Sequence, residues 1–207
     1  MMFEPQQRRN NPVARNSMAL FRLSQAIKKI TQAESDAAGL SPVQIQTLLF
    51  ARYTRDDMAT VGNLAAAIGA THVTAVKIVN GLVKKGLLAK IQNPEDRRVT
   101  LLTLTAKGRE AASRLQDWGR GLEEAVERIP DEILANLESG LGAVISILRE
   151  KNYLVVSEPC LGCVHFRPNV GDTSTPHYCE LIRKYLSQQA AQKECPEHTP
   201  ASHQKAP

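Results

Sequence analysis

Between Val61 and Trp118 the spacing of apolar residues changes twice, from helical to β-prone and back, and few folds accept that order in so short a stretch. "TVGNLAAAIGAT" reads as a helix of about two turns that ends at Gly69. "THVTAVKIVNGLVKKG" then opens a longer helix, with Thr71 as N-cap and Gly86 as its stop. Two β-prone runs follow, Leu87–Ile91 and Val99–Thr103, around a loop with Asn93 and Pro94 and with Asp96, Arg97 and Arg98 at its tip. Short helix, tight turn, amphipathic helix and hairpin together predict a winged helix-turn-helix. An arginine at such a tip suits a minor groove.

The flanking segments are helical too. From Ser17 to Ala33, Leu20, Leu23, Ala26, Ile27 and Ile30 recur at three- and four-residue spacing. Ser41 and Pro42 suit the N-cap and N1 of a helix running to about Tyr53. Thr105 caps a single long helix with Leu115, Trp118, Leu122 and Val126 on one face, Gly119 and Gly121 loosening it at most. Pro130 starts another, with Ile133, Leu137, Leu141, Val144 and Leu148. These stripes read as packing surfaces, not as a cofactor box. The predicted class is mainly α with a small β-hairpin wing, long dimerisation helices and a cysteine-rich C-terminal module. Three parts are expected: a disordered basic arm at 1–15, a winged-helix and dimerisation domain at 16–152, and a cysteine-rich, metal-binding tail at 153–207.

"NPEDRRVTLLTLTAKG" (Asn93–Gly108), preceded by "VNGLVKKGLLAK", resembles the MarR family of bacterial transcriptional regulators over about residues 16–152. The resemblance implies that the helix from Thr71 to Lys85 lies in the major groove of double-stranded DNA. Thr71, His72, Val73, Thr74 and Lys77 would then face base edges or phosphates, with His72 either on a phosphate or merely exposed. It implies that Asp96 orients Arg98 into the minor groove while Arg97 contacts phosphate. It implies a homodimer, formed through the first and the last two helices, on an inverted-repeat operator. Val73, Val76 and Lys77 stand where several members have serine, threonine or arginine, so more apolar contact, to thymine methyls, is expected. Some members sense oxidants through a cysteine near the first helix, and this chain has none there.

Charge agrees with a polyanion partner. The formal net charge is +5, and residues 1–30 hold Arg8, Arg9, Arg15, Arg22, Lys28 and Lys29 against Glu4 alone. No stretch approaches the roughly 18–20 apolar residues of a membrane span, and the N-terminus lacks the apolar region of a secretory signal. The chain is expected in the cytoplasm, without a membrane partner. It has no Gly-rich phosphate loop and no G-x-S-x-G elbow, and four of its five histidines lie in the tail, so no enzyme is expected.

All four cysteines fall in the tail, as C-x2-C-x15-C-x15-C: Cys160, Cys163, Cys179 and Cys195, with His165, His177, His198 and His203 among them. In a reducing compartment that spacing points to metal or redox chemistry. A [4Fe–4S] cluster on the four cysteines is the favoured reading, since clusters tolerate widely spaced single cysteines and "ECPEH" places proline after the last. Zinc is the alternative, on the same four or on Cys160, Cys163, Cys195 and His198. Free or redox-switching thiols are the third. One helix, "HYCELIRKYLSQQAAQ", is predicted here, and Phe166, Tyr178, Leu181, Ile182, Tyr185 and Leu186 would pack around a metal. The function expected is a dimeric DNA-binding regulator, a repressor, whose C-terminal cluster senses redox or iron state. The alternatives are a regulator answering to a small-molecule effector, with structural zinc in the tail, and a winged-helix module that binds protein.

Overall fold

The computed structural model describes residues 1–94 and 96–201, so His203 lies outside it. The chain divides into two compact units, Met1–Pro42 with Leu115–Leu137, and Val43–Arg114 with Glu138–Pro207.

The first unit is helical from near its start: α1 (Pro5–Asn10) and α2 (Pro12–Ala38). The arm expected to be disordered at 1–15 is thus helical over Pro5–Asn10 and from Pro12 onward. Pro5 and Pro12 occupy first-turn positions, where a missing N–H costs nothing, so they begin helices and break none. Asn11 caps α2, its Oδ1 accepting from the amides of Val13 (2.9 Å) and Ala14 (3.2 Å). Arg15 Nη1 donates to the carbonyls of Arg8 and Arg9 at the end of α1, and Phe3 meets Phe21 edge-on at 5.3 Å. α2 stops at Gly39, which takes φ +65°.

The single long helix predicted from Thr105 is two helices, α6 (Ala106–Arg114) and α7 (Arg120–Val126). Gly119 sits at φ +97°, a conformation that no helix interior accepts. The break is held from α2. The Glu34 carboxylate accepts from the amides of Gly119 (2.5 Å) and Gly121 (3.2 Å), and Trp118 Nε1 donates to Ser35 Oγ at 3.2 Å. A carboxylate at the first amides of α7 also meets the positive end of its dipole. α8 (Asp131–Glu150) follows and buries none of its residues within the chain.

The second unit opens with α3 (Pro42–Tyr53), α4 (Val61–Ala67) and α5 (His72–Lys84), then β1 (Leu88–Gln92) paired antiparallel with β2 (Thr100–Leu104), Leu88 opposite Leu104 and Gln92 opposite Thr100. Leu64, Ala75, Val79 and Leu102 meet in one buried cluster with Phe50 and Ala59. Each fully buried aliphatic side chain there contributes about 1.5–3 kcal/mol. β2 is fastened to the chain before α4, the amide of Leu102 donating to the carbonyl of Ala59 at 2.7 Å. Thr105 Oγ1 accepts from the amide of Gly108 and donates to the carbonyl of Gly86. Gly108 is compelled by contact, because a Cβ there would lie 1.9 Å from the carbonyl oxygen of Leu87.

The segment after α8 belongs to this same unit, so the chain does not divide in space at residues 152/153. It forms an antiparallel sheet of β3 (Phe166–Arg167), β4 (His177–Cys179) and β5 (Lys184–Leu186), then α9 (Gln188–Gln192). The helix predicted over 177–192 is thus a hairpin and a short helix. Tyr178 and Tyr185 pair across the strands at 5.0 Å, Arg183 turns the chain at φ +53°, and Cys179 and Leu186 point into a small core. Glu194 joins the end of α3, donating to the carbonyl of Tyr53 (3.0 Å) and accepting from the amide of Arg55 (2.9 Å). Among the described residues no single helix is long and apolar enough to cross a membrane.

Candidate functional site

The second unit presents two sites. The first is built on α5 and the hairpin. α4 and α5 meet at 109° across the Gly69 turn, within the usual range for a helix-turn-helix. Ala75, Val79 and Leu82 bury one face of α5, which leaves Thr71, His72, Val73, Thr74 and Lys77 exposed on the other, Val73 by 64 %. Thr71 acts as the cap, its Oγ1 accepting from the amide of Thr74 at 3.2 Å and lying 2.9 Å from the Thr74 hydroxyl. One of the predicted readers thus also shapes the helix start. Lys90, on β1, reaches back to Asn80 Oδ1 at 2.6 Å and ties the wing to α5.

At the wing, Arg98 lies in a two-pronged pair with Asp96: Nε to Oδ1 and Nη2 to Oδ2, both 3.0 Å, with the Arg98 amide also donating to Oδ1. That pair holds the Asp96 carboxyl below the usual carboxylate range, and the guanidinium still stands 90 % exposed. Arg97 is exposed as well. The structure therefore gathers Asp96, Arg97 and Arg98 at one tip, and places Thr71 to Lys77 on one open helix face.

The second site is the cysteine pocket. Cys160, Cys179 and Cys195 are buried and Cys163 is half-buried. Cys160 and Cys163 end a tight turn, the amide of Cys163 donating to the carbonyl of Cys160 at 3.1 Å, with Gly162 at φ +82°. Cys195 and His198 end a second turn of the same kind, also at 3.1 Å. The turns are joined by bridges between Glu158 and Cys195 and between Cys163 and Pro200. Burial pushes the Cys160 and Cys195 thiols up, while the nearby Arg55 draws both the other way. Among the described residues, no three His, Cys, Asp or Glu side chains converge closely enough to hold a single metal ion.

The two buried histidines differ. His177 Nε2 lies 2.6 Å from Gln188 Oε1 and its Nδ1 accepts from the amide of Asn169, so its ring is satisfied. His198 is 6 % exposed, and neither of its ring nitrogens has a partner. Sequence reasoning missed Arg55, in the "TRDD" stretch between α3 and α4. It is 3 % exposed, with Nε 2.6 Å from Asp57 Oδ1 and Nη1 3.5 Å from Cys160 Sγ. Its burial comes from residues more than a hundred positions away, and no local pattern carries that signal. Burial disfavours its charge, but Asp57 outweighs this with help from Cys195 and Cys160, and the guanidinium is held above its ordinary value.

Helix, turn, helix and charged hairpin in this geometry define a winged-helix protein. Residues 38–99 match the model of the MarR family. No curated protein matches the chain. Solved structures of similar fold include the complex of MepR from S. aureus with DNA (20 % identity over 64 % of this chain and 97 % of that one, TM-score 0.58). CouR from Rhodococcus jostii RHA1 bound to p-coumaroyl-CoA is similar at 21 % identity over 62 % and 90 %, TM-score 0.55. The transcriptional repressor CouR on a 23-mer DNA duplex is similar at 22 % identity over 61 % and 89 %, TM-score 0.51. At these identities the likeness is one of fold.

Proposed function

We propose that this chain is a DNA-binding transcriptional regulator, a repressor, which acts as a homodimer and carries a metal–thiolate centre at its C-terminal end. One observation carries the DNA-binding reading: the exposed first turns of α5 stand beside a wing whose tip offers a pre-oriented, solvent-facing arginine. In this reading α5 enters the major groove, with Val73 against apolar base edges and Lys77 on phosphate. Arg98, steered by Asp96, enters the minor groove, and Arg97 positions the wing on the backbone. The similar structures of MepR and CouR on DNA support the same use of the fold. CouR with p-coumaroyl-CoA supports a small-molecule effector as a further input.

The metal reading is supported by the two linked turns, three buried cysteines, an unpartnered buried His198 and a buried cation at Cys160. A single zinc ion needs its donors within about 2.0–2.3 Å of one point. A four-iron cluster takes thiolates at the corners of a larger body, and it is favoured here on Cys160, Cys163, Cys179 and Cys195. Its gain or loss would report redox or iron state.

The test is binding to duplexes selected by the protein from a random pool, measured by fluorescence anisotropy at several salt concentrations. Phosphate-mediated binding weakens steeply with salt, by roughly 10³–10⁵-fold between 50 and 200 mM for six to ten contacts. A flat salt response, or no enrichment of any duplex, would reject DNA binding and favour a protein partner.

A further inference from the structure

Four arginines of the first unit line one cleft, and neither the reading helix nor the cysteine pocket uses them. The cleft is open, encloses about 370 Å³ and is lined by Pro5, Arg8, Arg9, Arg15, Ala19 and Arg22. That volume lies in the range of small-molecule sites, about 300–1,000 Å³. The local chain builds it. Asn11 ends α1 and caps α2, so Arg8 and Arg9, in the last turn of α1, come against the first turns of α2. Arg15, Ala19 and Arg22 follow at spacings of four and three and share one face of that helix. Leu20, Leu23 and Ile27 mark a different face. The four arginines fall into two pairs. Arg8 Nη1 donates to the carbonyls of Met2 and Phe3, both at 2.9 Å, and Arg15 Nη1 donates to those of Arg8 (3.1 Å) and Arg9 (2.7 Å). These bonds fix two forks and leave Nε and Nη2 of each without a partner among the described residues. Arg9 and Arg22, both exposed, form no hydrogen bond or ion pair through their side chains with any described residue. Glu4 is the one acidic residue before Glu34, and it pairs with none of them.

We infer that this cleft binds a small anion with two adjacent phosphoryl groups, a pyrophosphate or the polyphosphate chain of a nucleotide. Four like charges around one hollow repel one another, and a guanidinium cannot lose its proton to relieve this. A bound anion reverses the sign of that interaction. Each guanidinium fork matches phosphoryl oxygens with paired N–H donors. Four forks offer more donors than one phosphoryl group has room for, and two linked groups take them up. The uncharged lining, Pro5 and Ala19, gives no aromatic face on which a base could stack and no side-chain polar group to read one. Recognition therefore falls on the phosphoryl groups themselves. The backbone of DNA shares that chemistry, but a duplex presents its phosphates on a convex surface, whereas these arginines surround a hollow. The small anion is the occupant that the shape favours.

The experiment uses the full chain in titration calorimetry at low ionic strength, with inorganic pyrophosphate as the probe and inorganic phosphate beside it. Wild type is expected to bind pyrophosphate and to hold phosphate about tenfold more weakly. Arg9→Gln and Arg22→Gln remove side chains that the fold does not use. Each is expected to keep the wild-type circular dichroism spectrum and to weaken pyrophosphate binding about tenfold. Arg22→Lys keeps the charge but loses the fork, and its affinity is expected to fall between the two. Lys28→Gln combined with Lys29→Gln removes charge from α2 outside the cleft, and is expected to leave the affinity within about twofold of wild type. A wild type that does not bind pyrophosphate overturns the inference. So does an equal loss in the lysine variant, which would mean diffuse attraction and no site. A duplex selected from a random pool, titrated with the same variants, separates the two sources of phosphate. If Arg9→Gln and Arg22→Gln weaken the duplex and leave pyrophosphate binding unchanged, the arginines serve the nucleic-acid backbone and the inference falls. If they weaken pyrophosphate and leave the duplex unchanged, it stands.

Discussion

At the scale of single residues, the wing separates two arginines with different work. Arg98 is clamped by Asp96 and aimed, whereas Arg97 is exposed without such a guide. Arg98→Ala is expected to cost about 1–3 kcal/mol of affinity and to relax sequence preference at one position, while Arg97→Ala weakens all duplexes alike and lowers the salt slope by about one. Anisotropy titrations against a panel of duplexes check this, and equal losses on every duplex for both variants would contradict it. The turn at 172–175 has a clear acid limit. Asp172 Oδ1 accepts from the Thr175 and Ser174 amides and from their hydroxyls, which pulls its pKa down to about 2 from the ordinary 3.8. A depressed carboxylate stabilises the fold fully above its unfolded value and loses that effect as pH falls through the folded one. The turn is therefore expected to hold to pH 4 and loosen between about 4 and 2, read from the Thr175 amide shift by NMR. A midpoint near 4 would count against it. The exposure of the α5 residues, the Thr71 cap and the Asp96–Arg98 pair were legible because neighbours in sequence decide them. The burial of Arg55, the orphaned ring of His198 and the satisfied ring of His177 were not, since distant chain decides each.

At the scale of elements, local chemistry and tertiary demand can be told apart. The helices around Gly69 and the hairpin around Asn93–Arg98 came out within a residue or two of expectation, because caps, turn residues and apolar spacing all agree there. The 177–192 segment misleads for a physical reason. Tyr178, Leu181, Ile182, Tyr185 and Leu186 imitate a helical stripe, yet pairing with β3 and the core around Cys160 and Cys179 reward strands instead. Gly119 likewise read as a weak point in a helix, while the Glu34 carboxylate that stabilises a full break comes from α2. Two glycines allow a direct trial. In a helix, Gly→Ala gains up to about 1 kcal/mol from propensity. At Gly140 nothing lies within 4 Å of an added Cβ, and Gly140→Ala is expected to gain that amount. At Gly108 the clash with the Leu87 carbonyl is with backbone, which cannot step aside, and Gly108→Ala is expected to lose about 2 kcal/mol or more. Urea unfolding decides it, and a Gly108→Ala protein as stable as wild type would refute the reading.

At the scale of the whole molecule, the apolar surface is the main clue to assembly. α8 keeps Ile133, Val144, Ile145, Ile147 and Leu148 exposed, and α2 keeps Leu20, Phe21, Leu23 and Ile27. Scattered apolar residues are common on monomers, but faces repeated along two long helices are the ground for proposing that a second copy covers them. Ile147→Glu together with Val144→Glu is expected to turn a dimer into a monomer in sedimentation velocity, with loss of tight DNA binding. A doubly charged variant that still sediments as a dimer would move the interface elsewhere. The stitch between Glu194 and the end of α3 has a further consequence, one of timing. The reading helix and wing leave the ribosome well ahead of the residues that close on Arg55, by roughly 5–20 s at ordinary rates of synthesis. During that interval the helix-turn-helix has its own core, while Arg55, buried only once residues near Cys160 and Glu194 close on it, is still in water. Each new chain is therefore able to shape its helix-turn-helix and wing before the contacts that bury Arg55 exist.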